Sequence, residues 1–168
     1  MLEFIGASAI AGALAKMADD YQDRGLKLPL VLALLIALLY GLILGALSSF
    51  TILSSLFLAL AIANILTQKI DGIHIFALCV FASVIIYSGI SYFNPFIFSL
   101  FLVSGLLDEL ALARPKFLVP FFENRLTTPL FALFTLLYFQ EPVYLIVILS
   151  FDILYKLTDY FIGKQLKK

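Results

Sequence analysis

From Leu28 to Gln68 the chain runs through 41 consecutive residues without an Asp, Glu, Lys, Arg or His. A membrane-crossing helix takes roughly 20 apolar residues, because about 30 Å of hydrocarbon is covered at about 1.5 Å per residue. The stretch therefore predicts two helices folded back on each other, with the turn near Gly45, Ser48 and Ser49. Such a hairpin returns to the side it left, which puts Lys27 and Lys69 at one face of a bilayer. Gly72 to Leu107 repeats the pattern without an Asp, Glu, Lys or Arg, and Gly89, Ser91, Asn94 and Pro95 mark its turn. Helices are expected near Ile73 to Ser88 and near Pro95 to Ala111. A third hairpin is expected from Pro129 to Ile162, turning at Gln140, Glu141 and Pro142. Its first limb, 129–140, has about a dozen residues, roughly 18 Å, and reads as re-entrant or tilted. Ahead of the hairpins, Leu2 to Ala18 is an apolar helix rich in Gly, Ala and Ser, the composition of close helix contacts in lipid. Gly25 is its expected C-cap. In the second helix Gly41, Gly45 and Ser49, spaced by four, predict another close contact.

Composition turns this pattern into a class. With 63% apolar residues and a mean hydropathy of +1.10, the chain lies far above the roughly 45–50% apolar content of soluble domains. The expected fold is all-α: a polytopic integral membrane bundle of six to seven transmembrane helices in successive hairpins, forming one domain over residues 1–168. Threaded this way, all 11 Lys and Arg fall on one face, which the positive-inside rule makes cytoplasmic. The expected location is the cell membrane, with the C-terminus and the charged loops cytoplasmic and the N-terminus opposite. Ala13-Leu14-Ala15 mimics a signal-peptidase site, but Glu3 and the lack of Lys or Arg before it argue against cleavage. A net charge of zero argues against nucleic acid as a partner. The lone Cys79 cannot form an intramolecular disulfide and reads as a buried small apolar residue. The partners expected are the lipid bilayer, a lipid or isoprenoid phosphate, and a second copy meeting this one through the small-residue helix faces.

The chemistry lies among acids that share the cationic face. Asp19, Asp20 and Asp23 end the first helix, and Asp108 and Glu109 end the fifth, where carboxylates oppose the helix dipole by about 0.3–1 kcal/mol each. Something positive should answer them. If the first helix persists, Lys16, Asp19 or Asp20, Asp23 and Lys27 form one stripe. Two acids on a stripe suit Mg²⁺, which takes one or two carboxylates and fills its shell with water and phosphate oxygens, so Asp19, Asp20 and Asp23 are the metal candidates. The bland alternative is a solvated loop with local cationic partners. Asp71, His74, Asp108 and Glu109 are catalytic candidates, although Asp71 also reads as a helix N-cap and His74 as an ordinary helix-end histidine. Lys27, Lys69, Asn64, Gln68 and Arg114 are candidates for holding a phosphorylated head group. Asp152, near the middle of the last helix, would cost about 2.5–3.5 kcal/mol in lipid and should face the bundle interior, beside Lys156. No GxSxG, Walker loop or CxxC occurs.

Asp20-x-x-Asp23, overlapped by Asp19-x-x-x-Asp23, resembles the first aspartate motif of the intramembrane aromatic prenyltransferase superfamily. That resemblance covers residues 19 to 23 and implies cytoplasm-facing helix ends that hold Mg²⁺ and a prenyl diphosphate. The chain lacks the Asn that opens that motif, the further Asp that follows it, and a second motif of that spacing. Three functions are consistent with the sequence. One is a membrane-embedded, Mg²⁺-assisted enzyme acting on a phosphorylated lipid or isoprenoid head group. The second is a transporter or proton-coupled carrier built around Asp152, and the third a helical subunit without its own chemistry, which would have no polar cavity.

Overall fold

In a computed structural model the structure describes residues 1–68, 70, 72–109 and 125–166, the side chains of Phe50, Glu109, Gln165 and Leu166 excepted. The described residues form α-helices and no strand: α1 (Leu2–Asp23), α2 (Leu30–Phe50), α3 (Ser54–Leu66), α4 (Gly72–Ser88), α5 (Pro95–Glu109), α6 (Thr127–Phe139) and α7 (Pro142–Leu166). One of them, over Leu30–Ser49, is long and apolar enough by length and composition to cross a membrane. The apolar helices α3 to α6 are shorter, and α1 and α7 carry charged residues in their last turns.

Helix boundaries follow local chemistry. Beyond Asp23 the chain turns at Gly25, whose φ of +64° suits a residue without Cβ, and Leu26 N–H closes the end on Asp20 O at 3.0 Å. The α2–α3 turn lies at Thr51 to Leu53 rather than at Gly45 to Ser49. Thr51 explains the shift: its hydroxyl donates to Leu47 O at 2.5 Å and accepts from Leu53 N–H at 3.1 Å. Ser48 and Ser49 remain helical and fully buried. Asn94 caps α5 by accepting from Phe96 and Ile97 N–H at 3.0 and 3.2 Å, with Pro95 in the first helical position. Gln140, at φ 57°, turns the chain from α6 into α7.

The helices pack so that α1 meets α2 and α7, α7 meets α6, α6 meets α5, α5 meets α3, and α3 returns to α2. This closes a ring of six, with α4 laid along α2 and touching α1. The ring is held where small residues let backbones touch. A Cβ on Gly12 would collide with the Phe151 carbonyl of α7, and one on Gly41 would lie 2.5 Å from Ala77 O of α4. A Cβ on Gly45 would lie 2.8 Å from Val84 Cβ. Gly12 of α1 and Gly41 and Gly45 of α2 thus make their close contacts within the chain itself. Leu53, Leu56, Phe101 and Val147 fill the apolar core. Cys79, expected inside, is exposed, because the inner face of α4 is formed by Ile73, Ala77 and Phe81.

Candidate functional site

α1 stays helical to Asp23, so its last turns present a charged stripe to α7. Lys16 Nζ lies 2.9 Å from Asp20 Oδ1 and 3.0 Å from Asp159 Oδ1. Arg24 closes the set, with Nε 3.3 Å from Asp20 Oδ1 and Nη1 2.6 Å from Asp159 Oδ1. Asp20 is fully buried, and a buried carboxylate persists only when opposite charge answers it. Its Oδ1 takes both ion pairs, while Oδ2 has no hydrogen-bond partner among the described residues. The stripe thus runs Lys16, Asp20, Arg24 and omits Lys27, because the chain leaves the helix at Gly25. Asp159 and Arg24 lie beyond the apolar segments. The hydrogen bond from Lys16, joined by that from Arg24, holds the Asp159 carboxyl below the usual range, and the bond to Asp159 raises the Arg24 guanidinium.

Asp19, on the adjacent face of α1 just past its apolar segment, is engaged differently. Its Oδ1 lies 2.8 Å from Nε2 of His74, and its other oxygen accepts from the Tyr155 hydroxyl. Tyr40 Oη lies 2.8 Å from the remaining His74 nitrogen, Nδ1. Asp108, at the end of α5, is answered by the start of a helix. Its carboxylate accepts from Thr127 N–H at 3.1 Å and from Thr128 N–H and hydroxyl at 2.9 and 2.8 Å. The positive end of α6 thereby satisfies the charge that opposed the dipole of α5.

Most of these groups, though not Asp159 or Thr127, border one cavity of about 440 Å³, within the roughly 300–1,000 Å³ of small-molecule pockets. Asp19, Asp20, Asp23, Arg24, Asn64, His74, Asp108 and Arg125 line its charged end, and Leu44, Phe57, Phe81 and Val147 line its apolar depth. Asp152 also lines it, so this carboxylate faces the interior as its position demanded, whereas Lys156 is exposed and forms no ion pair with it among the described residues. The described lining carries Lys16, Arg24 and Arg125 against Asp19, Asp20, Asp23, Asp108 and Asp152, a formal balance of 3 − 5 = −2 with His74 neutral. Lys27 and Gln68 are not among the lining residues. Lys69, Asp71 and Arg114 lie outside the described residues, as does the side chain of Glu109. Among the described residues no three His, Cys, Asp or Glu side chains come together as a metal-holding group. Asp19 and Asp20 have the partners given above, and Asp23 is an exposed carboxylate at the cavity rim.

Sequence reasoning did not single out Tyr40, Tyr155, Arg125 or Thr128. Tyr40 had a signal: it is the only tyrosine in the 41-residue apolar run. Tyr155 lies three residues after Asp152, so the two share a helix face. No family model matches the chain, no curated protein matches it, and no solved structure matches it.

Proposed function

We propose that the chain is a polytopic helical membrane protein of the cell membrane, and that its cavity is the site of an enzyme acting on a phosphorylated lipid or isoprenoid at the cytoplasmic surface, assisted by Mg²⁺. The observation that carries this reading is the cavity itself, charged at one end and apolar in its depth, the shape and polarity of a phosphorylated amphiphile. The negative balance of its described lining supports a cation there. A phosphate beside these carboxylates would be repelled, and a divalent ion offsets that repulsion. Asp23 is the carboxylate assigned to that ion, with water and phosphate oxygens completing its shell. Arg125 and Arg24 would meet the remaining phosphate charge.

Support for the membrane setting comes from the outer surface. Leu2, Ile86, Leu137 and many other large apolar side chains are exposed all round the bundle. Exposed Tyr87, Tyr92, Phe96 and Tyr138 gather at the end away from Lys16 and Arg24, and exposed Tyr160 and Phe161 lie at the charged end. Such aromatic belts mark the two interfaces of a bilayer.

The test is ligand-linked stability of the purified chain with Mg²⁺, with geranyl diphosphate, and with both. The expected result is a joint stabilisation larger than either alone, about 2.7 kcal/mol at a hundredfold excess over Kd, with the Mg²⁺ part lost in Asp23→Asn. No shift with any combination would overturn the reading. A second reading, a proton-coupled carrier, draws on the cavity-lining position of Asp152 and on the 13-residue α6, short for a full crossing. It requires Asp152→Asn to change flux or its pH dependence in proteoliposomes. A subunit without chemistry is disfavoured by the polar cavity.

A further inference from the structure

Four side chains from four helices make one hydrogen-bonded chain along the cavity wall: Tyr40 of α2, His74 of α4, Asp19 of α1 and Tyr155 of α7. An ionised carboxylate only accepts, so His74 Nε2 carries the hydrogen that faces Asp19. In the neutral imidazole Nδ1 is then an acceptor, and the Tyr40 hydroxyl donates to it. Carboxylate, imidazole and hydroxyl stand in the order by which an oriented base activates a hydroxyl. A polar pair serving only to join two helices needs neither that order nor its hydroxyl end in a cavity lining, and here both are present.

We propose that Tyr40, His74 and Asp19 form a proton-abstracting triad for an acceptor hydroxyl, either an alcohol or water, that attacks the phosphorylated substrate. His74 is the base, Tyr40 the group that touches the acceptor, and Asp19 the positioning residue that fixes the tautomer and stabilises the imidazolium. Tyr155 holds the second oxygen of Asp19 and so fixes its orientation. In the step, the acceptor O–H proton passes to Tyr40 Oη as the proton of Tyr40 passes to His74 Nδ1. The freed oxygen pair forms the new bond to the electrophilic centre. The bond to the phosphate leaving group breaks with its electrons on the phosphate oxygen, and the imidazolium returns its proton to that oxygen through Tyr40. This assignment rests on the cavity binding a phosphorylated amphiphile, and it adds the second substrate class, a hydroxyl acceptor.

His74 is the only histidine in the chain, so its imidazole nitrogens can be followed by ¹⁵N NMR without ambiguity. The full-length chain, labelled at histidine and held in lipid nanodiscs, should show Nε2 protonated and Nδ1 as an acceptor. Asp19→Asn should mix the two tautomers of the ring. Tyr40→Phe should leave the tautomer intact and move the Nδ1 signal alone. Geranyl diphosphate with Mg²⁺ should shift Nδ1 in the wild type and leave it unmoved in Tyr40→Phe. The opposite tautomer, or a ring indifferent to Tyr40→Phe, would overturn the triad, and this arm stands even where Asp19→Asn does not fold. Thermal stabilisation by geranyl diphosphate without movement of Nδ1 would overturn the triad while leaving the cavity reading intact. Absence of any stabilisation would remove that reading and the triad with it.

Discussion

Asp108 shows how one side chain can serve two helices. It ends α5, where its charge is unfavourable, and it caps α6 through three accepted hydrogen bonds. Asp108→Ala should therefore destabilise the bundle by about 1–3 kcal/mol, from loss of the cap and of bonds to a charged acceptor, read as a lower unfolding midpoint in detergent. Asp159 sets a pH dependence. Its folded-state carboxyl is held below the unfolded value of 3.8, so its contribution is complete above that value and disappears as pH falls through the lowered one. Wild type and Asp159→Asn should differ in stability at neutral pH and converge as pH falls through the lowered value, a comparison that acid titration of the two midpoints makes directly. The acids of α1 were legible in the sequence because a helical stripe is local information. Their partners were not: Asp19 is answered by residues 55 and 136 positions away along the chain, His74 and Tyr155, and no spacing rule reaches so far.

At the scale of helices, contact is governed by where a Cβ fits. Gly12 and Gly41 face neighbouring backbones, whereas a Cβ on Gly6 would meet no neighbouring helix within 4 Å. Gly12→Ala and Gly41→Ala should each cost about 1–3 kcal/mol by forcing α1 from α7 or α2 from α4. Gly6→Ala should instead be neutral or stabilise by up to about 1 kcal/mol through helix propensity. The contrast is measured by equilibrium unfolding of the three variants in one detergent. Most of the described helices and turns were readable because uncharged runs and the Asn-Pro and Gln-Glu-Pro breaks are strong local signals. The α2–α3 turn was misplaced because Gly45, Ser48 and Ser49 look like breakers, while inside an apolar bundle Gly45 serves close packing and the two serines stay helical. The hydroxyl of Thr51 ends the helix, and Thr is not a strong breaker by composition alone. The pairing of α1 with α7, the first helix with the last, lay outside what the hairpin pattern could reveal.

For the whole molecule, the ring of helices ties charge to topology. The C-terminal ends of α1, α3, α5 and α7 and the N-terminal ends of α2, α4 and α6 all lie at the cavity's charged end or lead to it. On the proposed membrane reading, an anionic head group reaching Asp23 and Arg24 would come from one side of the bilayer. Single cysteines in a Cys79→Ser background locate that side, with Lys27→Cys, Gln68→Cys and Lys164→Cys at the charged end and Ser91→Cys and Glu141→Cys at the other. A membrane-impermeant maleimide should label the last two in intact cells and the first three only in inverted vesicles. Substitution of an exposed surface residue changes stability little, so each variant should retain the wild-type fold. Gln68→Cys is the decisive member, because α2 and α3 together must return the chain to the side of Lys27. If it were labelled from the side opposite Lys27, the two helices would not form a hairpin, and the cavity's carboxylates would be split between two compartments. A soluble phosphate donor could then reach only part of the site, and the direction of substrate entry would have to be sought along the apolar face instead.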